Sequence, residues 1–131
     1  MDKKIVITGG VLGLLSVVVG AFAAHGLKSL ISLESIQTFE TGVRYQMYHA
    51  LLLLFVGGTT LIPKAKKALI FYFVVGGVIL FSGSIYGLAT NVLTGFDFKA
   101  IGFITPVGGL LMIIGWIIMI LSFFNLNSNN N

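Results

Sequence analysis

Four stretches of this chain, Ile5 to Ala24, Tyr45 to Ile62, Ala68 to Thr90 and Ile101 to Phe124, contain no Asp, Glu, Lys or Arg. A hydrocarbon core of about 30 Å takes roughly 20 residues to cross at 1.5 Å per residue, and each stretch meets that length. In lipid the backbone must satisfy its own hydrogen bonds, so all four are expected to be helices. Pro63, followed by Lys64, Lys66 and Lys67, marks a tight turn between the second and third. The reading is an all-α protein, a transmembrane four-helix bundle forming a single domain over residues 1–124. Its helices are expected at about 5–25, 33–62, 68–90 and 101–124, followed by a disordered polar tail over 125–131.

Composition agrees with a multi-pass protein of the cell membrane. Of the 131 residues 56% are hydrophobic and 9% charged, where a soluble domain carries about one quarter charged. There is no Cys, which excludes disulfides, thiolate metal sites and a cysteine nucleophile. The net charge of +4 does not point to nucleic acid, because the cations flank the apolar runs, where they set orientation. One side of the expected bundle holds Lys3, Lys4, Lys64, Lys66 and Lys67, and the other holds Lys28, Arg44 and Lys99. This bias places the N and C termini in the cytoplasm.

Small residues suggest how the helices meet. Gly9, Gly13, Ser16 and Gly20 fall on one side of the first helix, and Gly76, Gly83 and Gly87 on the third, a pattern that permits close backbone approach in lipid. Gly9, Gly13, Gly20, Gly83 and Gly87 are therefore expected to be packing positions, while Gly108 and Gly109 could simply loosen or kink the fourth helix.

The stretch GAFAAHGLK, residues 20–28, admits two readings. A basic start, an apolar run and AFA fit a secretory signal with its cleavage site. The run is longer than the 7–15 residues of a typical signal and carries packing glycines, which favours a retained helix. His25 then lies in a last turn, where the helix dipole favours a cation, and Gly26 is expected as a left-handed cap.

Polar chemistry concentrates in SLESIQTFETGVRYQMYHALLLL, residues 32–54. Ser32 is expected as the N-cap, with Glu34 in the first turn. Glu40 and Arg44 have the spacing and order of a helix ion pair, and Tyr45 and His49 repeat that spacing beside them. Interfacial anchoring explains much of this, since an exposed pair contributes only about 0–1 kcal/mol. His49 lies about four residues, or ~6 Å, inside the uncharged run that begins at Tyr45, and an ionisable residue at that depth is a functional candidate by default. Ser82, Ser84, Tyr86 and Thr105 fall in the same outer half. The candidate polar cluster is His25, Glu40, Arg44, Tyr45, His49, Ser82, Ser84, Tyr86 and Thr105. Serines and threonines of membrane helices more often bond back to their own carbonyls or across helices.

No catalytic constellation is present: there is no G-x-S-x-G, and no Asp lies near either His in sequence. The protein is not expected to be an enzyme, and neither a metal nor a cofactor is assigned. His25 and His49 are the whole histidine inventory, so a haem or metal site is ranked below a structural role.

GAFAAHGL, FETGVRYQMYHALLLL, FSGSIYGL and ITPVGG occur in this order. Together they resemble the family called domain of unknown function 423, small four-pass integral membrane proteins, over Ile5 to Phe124. The resemblance implies a four-pass protein with a retained first helix, and marks His25, Tyr45, His49, Ser82, Gly83, Tyr86, Thr105, Pro106 and Gly108 as family positions. It brings no activity. Three readings follow. The polar cluster near the outer interface binds or conducts a small amphiphile, an ion or a proton. Alternatively the chain is a non-catalytic accessory or assembly subunit of a larger membrane complex. In the third reading it is a redox protein linked to haem or quinone. The expected partners are the lipid bilayer, a small amphiphilic ligand, and a homo-oligomer or larger membrane complex, with no nucleic acid.

Overall fold

The computed structural model describes residues 1–95 and 97–129. Four helices account for most of them: α1 (Asp2–His25), α2 (Leu33–Gly58), α3 (Lys64–Ala89) and α4 (Ile104–Asn129). Two short 3₁₀ turns, Asn91–Leu93 and Phe98–Ile101, lie between α3 and α4. Three helices are long and apolar enough to cross a membrane: α1, α3, and α4 over Ile104–Asn125. α2 has the length, but Glu34, Glu40, Arg44, Gln46 and His49 make its first half polar.

Helix ends follow local chemistry. Ser32 caps α2 as expected, its hydroxyl oxygen accepting the Ser35 N–H at 3.1 Å. α2 stops at Gly58, four residues before the expected Ile62. Ile62 precedes Pro63, whose ring disfavours helical backbone in the residue before it. Thr59 turns the chain instead, its hydroxyl accepting the Leu61 N–H at 3.2 Å. α3 then starts at Lys64, immediately after the proline. α4 begins at Ile104 and not at 101, because the Asp97 carboxylate accepts the Lys99 N–H at 3.0 Å and holds the preceding residues in a 3₁₀ turn. At its other end α4 runs on through residues 125–129, past the expected 124, since no Gly or Pro follows Phe124 to end it. Residues 130 and 131 lie outside the described residues. Gly26 is not a left-handed cap. Its φ of −78° and ψ of −40° are right-handed, and its N–H donates to the Phe22 carbonyl at 2.7 Å.

The extended interfaces join sequence neighbours: α1 with α2, α2 with α3, and α3 with α4. Residue pairs across each run in opposite directions, so neighbours are antiparallel. Gly9 meets Leu53 and Gly20 meets Val43 on the first interface, while Gly77 meets Met112 and Gly115 meets Val74 on the third. The small-residue stripe of α1 faces α2: a Cβ on Gly9 would lie 2.9 Å from the Ala50 carbonyl oxygen, a separation that only glycine permits. On α3 a Cβ on Gly76 would meet Leu111 of α4 at 3.8 Å, but one on Gly83 would meet nothing within 4 Å, so Gly83 is not a packing position. The close approach to α4 is made by Gly77 and Gly108. A Cβ on Gly108 would fall 2.4 Å from the Phe81 backbone nitrogen, so this glycine is a packing surface.

Two apolar clusters fill the interior. Ile5, Leu53, Val56, Ile70, Val74 and Met112 belong to the larger, at the end where α1 and α3 begin. Ala23, Leu27, Phe39 and Ala89 form the smaller at the opposite end. A polar layer with Gln46, Ser82 and Tyr86 separates them. The outward faces, including Leu14, Val17 and Val18 of α1, Ile79 of α3 and Ile113 of α4, are apolar and exposed, which suits a surface bathed in lipid.

Candidate functional site

The first half of α2 sends its polar side chains in two directions. Gly42 and Gln46 share one face and Tyr45 and His49 another, about 60° away around the helix at 100° per residue. The first face meets α1 and α3. Tyr86 donates its hydroxyl to Gln46 Oε1 at 2.6 Å, and Gln46 Nε2 donates onward to the Leu12 carbonyl at 2.9 Å. Ser82 donates to the Gly42 carbonyl at 2.7 Å. This network ties three helices together across the interior. A buried amide left unpaired in an apolar setting would cost about 1–3 kcal/mol, so Gln46 and Tyr86 complete each other. No buried side-chain nitrogen or oxygen among the described residues lacks a partner.

The second face meets α4. His49 is 4% exposed. Its Nδ1 lies 2.7 Å from the Tyr45 carbonyl oxygen, and its Nε2 lies 3.0 Å from Trp116 Nε1. A carbonyl only accepts and an indole N–H only donates, so these partners fix a neutral imidazole with its proton on Nδ1. Both ring nitrogens are engaged. Beside this link lies a cavity of about 290 Å³ lined by Tyr45, His49, Phe81, Met112, Ile113 and Trp116, with Gly109 at its wall. Tyr45 packs on the Phe81 ring at 5.0 Å between centroids, and His49 meets Trp116 edge-on at 6.0 Å. Tyr45, Ile113 and Trp116 are all exposed, so the cavity is a groove open between α2 and α4.

The nine residues of the expected cluster therefore do not form one site. Tyr45 and His49 line the groove, whereas Ser82 and Tyr86 belong to the interior network. Ser84 and Thr105 hydrogen-bond to each other at 2.5 Å across the α3–α4 seam. Arg44 donates to Thr41 Oγ1 at 3.0 Å, and no ion pair to Glu40 forms among the described residues. On an exposed helix face that pair contributes too little to hold two flexible side chains together. His25 is exposed at the end of α1, with no hydrogen bond or ring contact to His49 among the described residues. Two residues outside the expected cluster organise the site. Trp116 is the only Trp of the chain, and Gln46 is an uncharged amide inside an apolar run. Each carries polar hydrogens that demand a partner in such a run, and that demand is the signal by which they could have been found.

The Nε2 lone pair of His49 accepts from Trp116, and among the described residues no three of His, Cys, Asp and Glu converge.

The family described as "Protein of unknown function (DUF423)" matches residues 19–109. A UPF0382 membrane protein of Staphylococcus aureus is 42% identical over 125 residues, covering 93% of this chain and 96% of the relative. A UPF0382 membrane protein of Staphylococcus saprophyticus is 37% identical over 127 residues, 95% of this chain and 99% of its own length. The UPF0382 membrane protein YwdK of Bacillus subtilis is 37% identical over 122 residues, 92% and 95% of the two chains. No solved structure matches. With three helices able to span and relatives named as membrane proteins along nearly its full length, the chain belongs to the DUF423 family and is a helical, multi-pass protein of the cell membrane.

Proposed function

We propose that the chain crosses the membrane four times with both termini in the cytoplasm, is not an enzyme, and binds a small uncharged amphiphile in the groove between α2 and α4. Support for the fourth crossing comes from packing: α2 lies antiparallel between α1 and α3, so it shares their depth and returns the chain between two parallel spans. Gln46 and His49 at that depth are met by protein, which is the condition for keeping them in lipid. Support for the orientation comes from the five lysines gathered where α1 and α3 begin.

The observation that carries the binding reading is the open groove of about 290 Å³ walled by Tyr45, Phe81, Met112 and Trp116. Aromatic and apolar walls with few polar groups are the makeup of a ligand site. No Asp, Glu, Lys or Arg lines it, and His49 has both nitrogens engaged. An unpaired charge there would meet no counter-charge and lose its hydration, which disfavours an ion or proton as the occupant. Among the described residues the Tyr45 hydroxyl has no hydrogen-bond partner, so it is free to pair with an uncharged polar head while the tail leaves into the bilayer.

Trp116, as the sole Trp, reports on the groove directly. The full chain in neutral detergent is titrated with a brominated monoacylglycerol and Trp116 fluorescence is followed. The reading expects saturable quenching that Gly109→Leu abolishes, because Gly109 is in the groove wall and its Cβ direction meets only the Phe81 ring, at 3.7 Å and beyond. Quenching without saturation, identical in the variant, would contradict it.

A further inference from the structure

We propose a second lipid site at the opposite end of the molecule, where the starts of α1 and α3 bind the headgroup of an anionic phospholipid. Lys67 and Asp2 define the arrangement. The Lys67 side chain is 3% exposed, and its ammonium donates to Asp2 Oδ1 at 3.1 Å and to the Thr59 carbonyl at 2.5 Å. This draws the first turn of α1 onto the first turn of α3 and the end of α2. It also consumes the only acidic residue at this end, since Glu34, Glu40 and Asp97 all lie at the other. Lys3, Lys4, Lys64 and Lys66 remain exposed on the same turns with no acidic partner among the described residues.

Four uncompensated ammonium groups at the start of two membrane helices repel one another. That cost is removed by a shared anion, and each lysine near an anionic bilayer surface contributes about 1 kcal/mol of attraction. Lys4 shows where the headgroup would sit. Its Nζ lies 5.4 Å from the Phe71 ring centroid and 5.7 Å from that of Tyr72, which keeps the ammonium beside the helices and not extended into water. Tyr72 also lines a shallow groove of about 200 Å³ with Phe73 and Leu111. A phosphate on the lysines and an acyl chain along Tyr72, Phe73 and Leu111 would satisfy both features with one molecule. Lys67 and Phe81 are 14 residues apart on α3, about 21 Å along the helix, so the headgroup end of this site lies far from the α2–α4 groove.

The test is thermal unfolding of the full chain in neutral-detergent micelles containing dioleoylphosphatidylglycerol, dioleoylphosphatidylcholine or inorganic phosphate. Phosphatidylglycerol is expected to raise the midpoint by about 4 °C at low salt relative to phosphatidylcholine, by binding the folded state alone. High salt should erase most of the shift, as should the combined Lys4→Gln, Lys64→Gln and Lys66→Gln variant. Equal shifts from both lipids, an undiminished shift in the variant, or the same shift from inorganic phosphate would each overturn the assignment. If the variant is unfolded by far-UV circular dichroism, the wild-type salt series decides, and a shift that survives high salt rejects the site. The Trp116 titration is independent of all these outcomes.

Discussion

α4 meets its two neighbours in opposite ways. Against α3 it lies backbone to backbone, with Gly77 and Gly108 so close that neither position has room for a Cβ. Against α2 it is held by side-chain links, Trp116 to His49 and the tilted rings of Phe55 and Phe123 at 6.2 Å between centroids. Where glycines let two helices touch, dispersion contacts close the seam. Where aromatic and imidazole rings space them apart, a groove remains. The candidate site is the seam that packing leaves open.

Breaking the closed seam should have the largest effect. Gly108→Leu places its Cβ 2.4 Å from the Phe81 backbone nitrogen, which cannot give way as a flexible side chain can. The expected loss is about 3 kcal/mol or more, read as a collapsed thermal midpoint in detergent. The adjacent Gly109→Leu points into the groove and should leave the midpoint within about 0.5 kcal/mol of wild type. Equal damage from both would mean that the two seams do not differ. Away from α4, Asp2→Asn removes a charge from Lys67 but leaves the Thr59 carbonyl as its acceptor. Asp2 is half-exposed, so a loss of about 1 kcal/mol is expected, smaller at high salt. A smaller loss than that of Asp2→Asn belongs to Trp116→Phe, which deletes the N–H to His49. A hydrogen bond between membrane helices averages about 0.6 kcal/mol, and unfolding in detergent should register no more. A loss several times larger would show that the open seam depends on this link as strongly as the closed seam depends on its glycines.

The features legible in the sequence are those set by local chemistry. Runs without charge gave three helices able to span, Ser32 marked a helix start, and the Gly9, Gly13 and Gly20 stripe marked the face of α1 that meets α2. Features that depend on which helix face meets which neighbour were not legible. Small residues occur around much of α3, and nothing local distinguishes Gly77, whose Cβ direction runs into α4, from Gly83, whose Cβ direction meets nothing within 4 Å. Tyr45 and Gln46 are adjacent in sequence yet serve different seams, and for that reason the expected single cluster divides into a groove and an interior network. Trp116 and Gln46 announce a need for a hydrogen-bond partner, but the partners stand 67 and 40 residues away.

The central claim is that the open seam holds an uncharged amphiphile, and native mass spectrometry of the full chain released from its own membranes tests it most directly. The account predicts a retained neutral lipid on the wild-type chain that is lost in Gly109→Leu and kept when Lys4, Lys64 and Lys66 are replaced by Gln. A wild-type chain that emerges without any neutral lipid, or a Gly109→Leu chain that retains it equally, would contradict the account.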